Sequence, residues 1–247
     1  MVLWTLWRFA RSCDITLRSL VTRMGVFNVS LSSVGLMVIC LHLVGLLAMF
    51  FSQRFFGRWY FTTSAYVDNF PRVLDMLFLA PLREESLCRG VVFCICYKRM
   101  SDRTGKSTSM CILTSAAVFG LVHLMNLFGK TYTPVYIGLQ VTLGFLVGVF
   151  YGCRFVSRGL FEPFLLHIVN NFCSSFLPRD EDLNYADFLI WVPLLQTLVV
   201  YGVLVYFSLK TIRAQASTPY PILETMMLGS ATVVHTLKND TTKRRQR

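Results

Sequence analysis

Glu84 and Glu85 stand side by side near the middle of an apolar run, residues 73–97, that also holds Pro81, Arg83 and Arg89. A charge at the centre of a membrane helix costs at least about 2.5–3.5 kcal/mol, so such residues face a bundle interior or a water-filled cavity and mark function by default. Glu85 and Arg89 are four residues apart and can pair along one helix face. Glu84 lies about 100° further round and is free to point elsewhere. His123 lies in a second apolar run, in the stretch Phe-Gly-Leu-Val-His-Leu-Met-Asn, with Asn126 on the same face. In a third run His167 and Asn171 share a face, while Asn170 points about 100° away. Taken singly, each group is explained by a polar clamp: the glutamates lock helices through Arg83 and Arg89, or an imidazole or carboxamide bonds a neighbouring helix. Taken together, three separate runs bring the parts of a hydrolytic centre. A carboxylate and an imidazole can share a water and remove its proton, making hydroxide for attack on a peptide carbonyl. An imidazole and a carboxamide can both donate to the oxyanion that forms. One glutamate with two histidines, here Glu84, His123 and His167, is also an acceptable zinc set. A Gly-x-Ser-x-Gly nucleophile elbow and a His-Glu-x-x-His zinc helix are both absent.

These residues need elements that hold them in an apolar medium. The chain has 247 residues, 54% of them hydrophobic and 15% charged, with mean hydropathy +0.54. Soluble domains carry roughly 25% charged residues, so a disordered chain and an ordinary soluble enzyme are both excluded. Apolar stretches long enough to cross a bilayer recur over 29–51, 73–97, 110–128, 134–155, 160–177 and 188–209. The expected architecture is all-α, a polytopic transmembrane bundle of about six spans over 29–209, with a basic flank over 1–28 and a flexible basic tail over 210–247. Gly138, Gly144, Gly148 and Gly152 allow the fourth span to approach a neighbour closely. On simple helix counting, His123 lies near the outer end of its span and His167 near the inner end of its own. Glu84 is mid-span, so the depths differ by roughly 10 Å.

The net charge of +11 has its explanation in the loops, where cytoplasmic segments collect Lys and Arg. With the N-terminus inside, twelve such residues fall inside and five outside, Arg154 and Arg158 among the former. Arg8, Arg11, Arg18 and Arg23 read as the cytoplasmic flank of the first span in preference to an Arg-rich transit peptide. No aromatic–basic motif accompanies the charge, so the expected partner is the lipid bilayer and no nucleic acid. The eight cysteines include no C-x-x-C pair and read as small core hydrophobes.

Residues Pro81 to Gly90, Pro-Leu-Arg-Glu-Glu-Ser-Leu-Cys-Arg-Gly, resemble the P-x-x-E-E-x-x-x-R-G motif of the CPBP family, the type II CAAX prenyl endopeptidases and bacteriocin-processing relatives. Phe119 to His123 resembles the F-x-x-x-H motif of that family and His167 to Asn171 its H-x-x-x-N motif. Gly159 to Pro163 resembles the segment that leads into the latter. The resemblance covers roughly residues 70–176. It implies intramembrane cleavage of a membrane-held polypeptide, at its most specific the removal of the C-terminal tripeptide from a prenylated CAAX protein. By matching positions it implies that Glu84 is the essential carboxylate and that His123 helps it activate water. His167 and Asn171 would stabilise the oxyanion, and Glu85 and Arg89 would hold Glu84 in place. It implies either no cofactor or one zinc ion, and a multi-pass protein of the endoplasmic reticulum foremost. Arg154 and Arg158 can attract the free carboxylate of the tripeptide, beside their role of marking the inner side. Two other classes stay open: a non-proteolytic membrane scaffold of the same fold, and a transporter relaying protons through intramembrane Glu and His, though no inverted repeat is evident.

Overall fold

Hydroxyl side chains start four of the helices, each accepting a bond from a backbone N–H that the first turn leaves unpaired. The computed structural model describes residues 4, 7–8, 10–11, 16–27, 29–56, 70–100, 104–129, 132–176 and 188–214. Helix α1 spans Leu17–Arg23, where Thr16 Oγ1 accepts from Ser19 N at 3.1 Å. Helix α2 spans Ser33–Phe55, where Ser32 Oγ accepts from Gly35 N at 2.9 Å. Helix α3 is continuous over 70–99 and includes two π-helical stretches, Asp75–Leu79 and Ser86–Phe93. Helix α4, Gly105–Val122, is capped by Thr104 and runs through a 3-10 turn at His123–Met125 into Asn126–Gly129. Helix α5, Pro134–Arg158, is capped by Thr133 and carries Pro134 at its first position, where the missing N–H costs nothing. Helices α6, Phe161–Ser174, and α7, Phe188–Ala214, complete the bundle.

The chain is an all-helical integral membrane protein, with no strand among the described residues. Among the described residues, four stretches are long and apolar enough to cross a bilayer: Ser33–Phe55, Lys106–Phe128, Pro134–Arg158 and Leu194–Ala214. Helix α3 is long enough, at about 45 Å, but carries Arg83, Glu84, Glu85 and Arg89. Helix α6, expected as a fifth span, has only 14 residues, about 21 Å against a hydrocarbon core of about 30 Å. Helix α7 continues to Ala214, through the first residues of the stretch expected as a basic tail from 210. Residues 215–247 lie outside the described residues.

Helices α4 and α5 cross closely. Gly144 of α5 packs on His123 and Gly120, Gly148 on Phe119 and Ala116, and Gly152 on Ile112. Gly138, expected in the same seam, faces open space, because it precedes the crossing. A Cβ at Gly120 would meet Val141 O at 2.8 Å and Phe145 N at 3.1 Å, both backbone atoms that cannot swing aside. Overpacking of this kind costs about 1–3 kcal/mol, more than the roughly 0.5–1 kcal/mol that Ala gains over Gly inside a helix. Gly120→Ala is therefore expected to lower the thermal unfolding midpoint in detergent, and Gly138→Ala to leave it unchanged or raise it.

Part of the N-terminal flank belongs to the core. Ala10, Leu20 and Met24 pack with Phe93, Tyr97, Ile112 and Phe155, all buried. Gly25 and Gly159, at φ +71° and +89°, lie back to back, and Leu160 N donates to Met24 O at 2.8 Å. Glycine is the residue that adopts this backbone without strain. The turn at Gly159 ends α5 and sets where α6 begins.

Candidate active site

Pro81 lacks a backbone N–H, and its ring collides with the carbonyl four residues back. Helix α3 carries the π stretch Asp75–Leu79 just before the Ala80–Glu85 segment that holds this proline, and Ser86–Phe93 follows at once. Glu84 and Glu85 thus sit between two π stretches, a feature frequent at functional sites. They differ sharply in surroundings. Glu85 is fully buried, whereas the Glu84 side chain is 35% exposed.

A row of four groups runs from the core outward. Arg89, also fully buried, places Nε 3.1 Å from Glu85 Oε2, an ion pair whose angle falls short of a hydrogen bond. Its Nη2 donates to Gly148 O at 3.0 Å, and its guanidinium lies 4.8 Å over the Phe119 ring and 5.9 Å from that of Tyr151. Glu85 Oε1 is 3.0 Å from His167 Nδ1. A buried carboxylate at Nδ1 fixes that nitrogen as the donor and leaves Nε2 as the proton acceptor. His167 Nε2 then lies 3.6 Å from Glu84 Oε2, too long for a direct bond and close enough for one water to contact both. Phe119 and Tyr151 flank the imidazole at 5.5 and 5.9 Å between ring centroids.

The depth mismatch read from the sequence disappears in the fold. Helix α6 is short and starts at the Gly159 turn, which brings His167 level with Glu84. His123 lies on the other contact of the Phe119 ring, at 5.6 Å, half-buried, with Nδ1 3.0 Å from Phe119 O. It forms no ion pair with either glutamate among the described residues, so His167 is the imidazole that reaches Glu84. Asn171 Nδ2 donates to Met76 O at 3.0 Å, tying α6 to the first π stretch and leaving one amide hydrogen. Asn126 pairs with Gln140 across the α4–α5 seam at 2.9 Å. Glu85 and Arg89 are in contact as expected from their spacing, but Glu85 bonds His167 and makes no bond to Glu84. Among the described residues no three His, Cys, Asp or Glu are grouped to hold a metal ion.

A second buried cluster supports α6 from the opposite end. Glu162 is fully buried and accepts from Arg154 Nε at 2.7 Å, Ser32 Oγ at 2.8 Å and Ser32 N at 3.1 Å. Arg154 Nη2 also bonds Ser32 Oγ at 2.8 Å. Arg154 is therefore engaged inside the bundle and is not the free cation that the sequence suggested for a substrate carboxylate. The cluster joins the start of α2, the end of α5 and the first turn of α6. Sequence reading missed it because Ser32 and Glu162 are 130 residues apart; the one signal was an acid, Glu162, in an apolar run. Ser32→Ala removes the α2 cap and two contacts of this cluster, and is expected to cost about 1–2 kcal/mol, read as a lower unfolding midpoint that Ser32→Thr largely restores.

Residues 66–173 match the family model described as type II CAAX prenyl endopeptidase Rce1-like. No curated protein and no solved structure matches the chain.

Proposed function

From the match of residues 66–173 to the Rce1-like type II CAAX prenyl endopeptidase family, we infer that the chain is an intramembrane endopeptidase whose centre is the row Arg89–Glu85–His167–Glu84. The observation that carries this reading is the pairing of a buried, charge-compensated Glu85 on His167 Nδ1 with a half-exposed Glu84 at 3.6 Å from Nε2. In the proposed reaction a water held between Glu84 and His167 loses a proton to them as its oxygen adds to the scissile carbonyl carbon. The carbonyl π electrons move to oxygen, where the remaining Asn171 amide hydrogen stabilises the oxyanion. When the tetrahedral intermediate collapses, the C–N bond breaks and the nitrogen takes a proton from the imidazole–carboxylate pair. His123, whose Nδ1 is held at Phe119 O, is assigned to the leaving-group side.

The proposed substrate is a membrane-held polypeptide, at its most specific a prenylated C-terminus losing its last three residues. A prenyl chain gains about 0.8 kcal/mol per buried methylene and stays among the acyl chains, which presents the adjoining peptide at membrane depth. The test uses the purified chain in lipid nanodiscs with a farnesylated peptide ending in a CAAX sequence, and mass spectrometry for the released tripeptide. Release is expected, faster than from the unprenylated peptide and unchanged by EDTA. Equal rates on both peptides would remove the prenyl specificity. No cleavage of either by folded protein would overturn the endopeptidase reading and leave a scaffold.

A further inference from the structure

A groove of about 140 Å³ opens between α2, α6 and α7, separated from the proposed centre by a layer of buried aromatic side chains. That layer joins the two: Tyr201 of the groove packs on Phe150 at 5.5 Å, and the next residue, Tyr151, flanks His167. Six polar side chains line it: His42, Asn170, Ser174, Gln196, Thr197 and Tyr201. Four are satisfied. His42 Nε2 and Tyr201 Oη bond at 2.8 Å, Ser174 Oγ donates to Asn170 O at 2.8 Å, and Thr197 also has a partner. The carboxamides of Asn170 and Gln196 have none among the described residues. Gln196 lies against Gly45, near the middle of α2, where its Nε2 would be 3.8 Å from a Cβ. The α2 wall of the groove runs from Val38 to Met49, inside the candidate span Ser33–Phe55, so both amides open onto hydrocarbon depth, where an unpaired polar group costs several kcal/mol.

We propose that this groove binds an extended stretch of polypeptide backbone at membrane depth, through hydrogen bonds from the Asn170 and Gln196 carboxamides. Each carboxamide offers one carbonyl acceptor and an NH₂ donor, the same complement as a peptide unit. An extended peptide in hydrocarbon has the matching problem, since its own N–H and C=O groups lose their helical partners. An acyl chain would leave both carboxamides unpaired, and an ester carbonyl would satisfy only their donors. The occupant's identity as polypeptide rests on the endopeptidase reading: a chain unwound for cleavage needs backbone partners along its path through the membrane. Asn170 provides one from the face of α6 next to the one that carries Asn171.

The experiment uses the full chain carrying Glu84→Gln, so that no turnover intervenes, in nanodiscs with a short hydrophobic peptide amide bearing one benzoylphenylalanine. Irradiation and peptide mapping are expected to place adducts on groove residues such as Leu46 and Val200. Asn170→Leu and Gln196→Leu are each expected to lower the adduct yield about five- to tenfold, the effect of losing one hydrogen bond. A backbone N-methylated version of the peptide should label correspondingly less. Adducts elsewhere, yields unchanged by both substitutions, or equal labelling by the N-methylated peptide would each overturn the proposal; the last would make the groove a site for apolar chains. Groove labelling without cleavage by the wild-type chain would sink the endopeptidase reading alone, and cleavage without groove labelling would sink this proposal alone.

Discussion

Glu84→Gln is expected to lower kcat on the farnesylated peptide by about a thousandfold, within the range that a positioned general base contributes, while the protein still accumulates in membranes and unfolds at the wild-type temperature. The two halves of this result have different causes. The amide keeps the shape and hydrogen-bonding reach of the side chain but cannot take the proton of a water placed between position 84 and His167 Nε2, 3.6 Å apart in the native chain. Stability is spared because the Glu84 side chain is 35% exposed and its contact across to His167, at 3.6 Å, is too long for a hydrogen bond. Glu85→Gln should behave in the opposite proportion. Glu85 is fully buried and bonds His167, so its loss damages folding at least as much as rate. The comparison is made on purified protein, with turnover and thermal unfolding measured on the same samples. Wild-type turnover by Glu84→Gln would remove the carboxylate from the mechanism, and with it the proposed function.

The inequality of the two glutamates was legible in the sequence, since only Glu85 has an arginine four residues on and the helical period turns Glu84 away. The shared face of His167 and Asn171 was legible for the same reason. What local spacing cannot carry is which groups meet across helices. His123 was the expected partner of Glu84, yet His167 occupies that place, because α6 is short and its depth is set by the Gly159 turn packed on Gly25. Counting residues from loop to loop treats every run as a full, upright span, and 160–177 is not one. The π stretches of α3 likewise shift the angular positions that a 3.6-residue period would assign. Arg154 read as a loop cation because a single cation at the end of an apolar run says nothing of an acid eight residues on, past a chain reversal. The all-helical membrane class, by contrast, follows from composition alone, because a chain this apolar has few other ways to satisfy its backbone.

The Arg89–Glu85 pair tests whether the centre is held by charge compensation. Arg89→Met removes the cation that faces Glu85 at 3.1 Å and the donor to Gly148 O, and leaves a carboxylate with no exposure beside His167. Breaking a buried pair from one side costs about 3–5 kcal/mol, because the remaining charge has lost both water and partner. Glu85→Gln strands the guanidinium instead, with the Gly148 carbonyl and the Phe119 and Tyr151 rings as its remaining contacts. Each single variant is therefore expected to unfold at a clearly lower temperature. The double variant Glu85→Gln with Arg89→Met buries no net charge, and replacing a buried pair by neutral groups of similar volume is often close to neutral. It should recover most of the loss and unfold at a higher temperature than either single variant, the non-additivity expected of two residues in contact. Activity should separate from stability in that variant. The amide introduced by Glu85→Gln can still accept the His167 Nδ1 proton but cannot stabilise an imidazolium, so turnover stays low although the fold recovers. A double variant no more stable than either single one would mean that Arg89 and Glu85 contribute separately, through Gly148 and through His167, and that no charge pair organises the site.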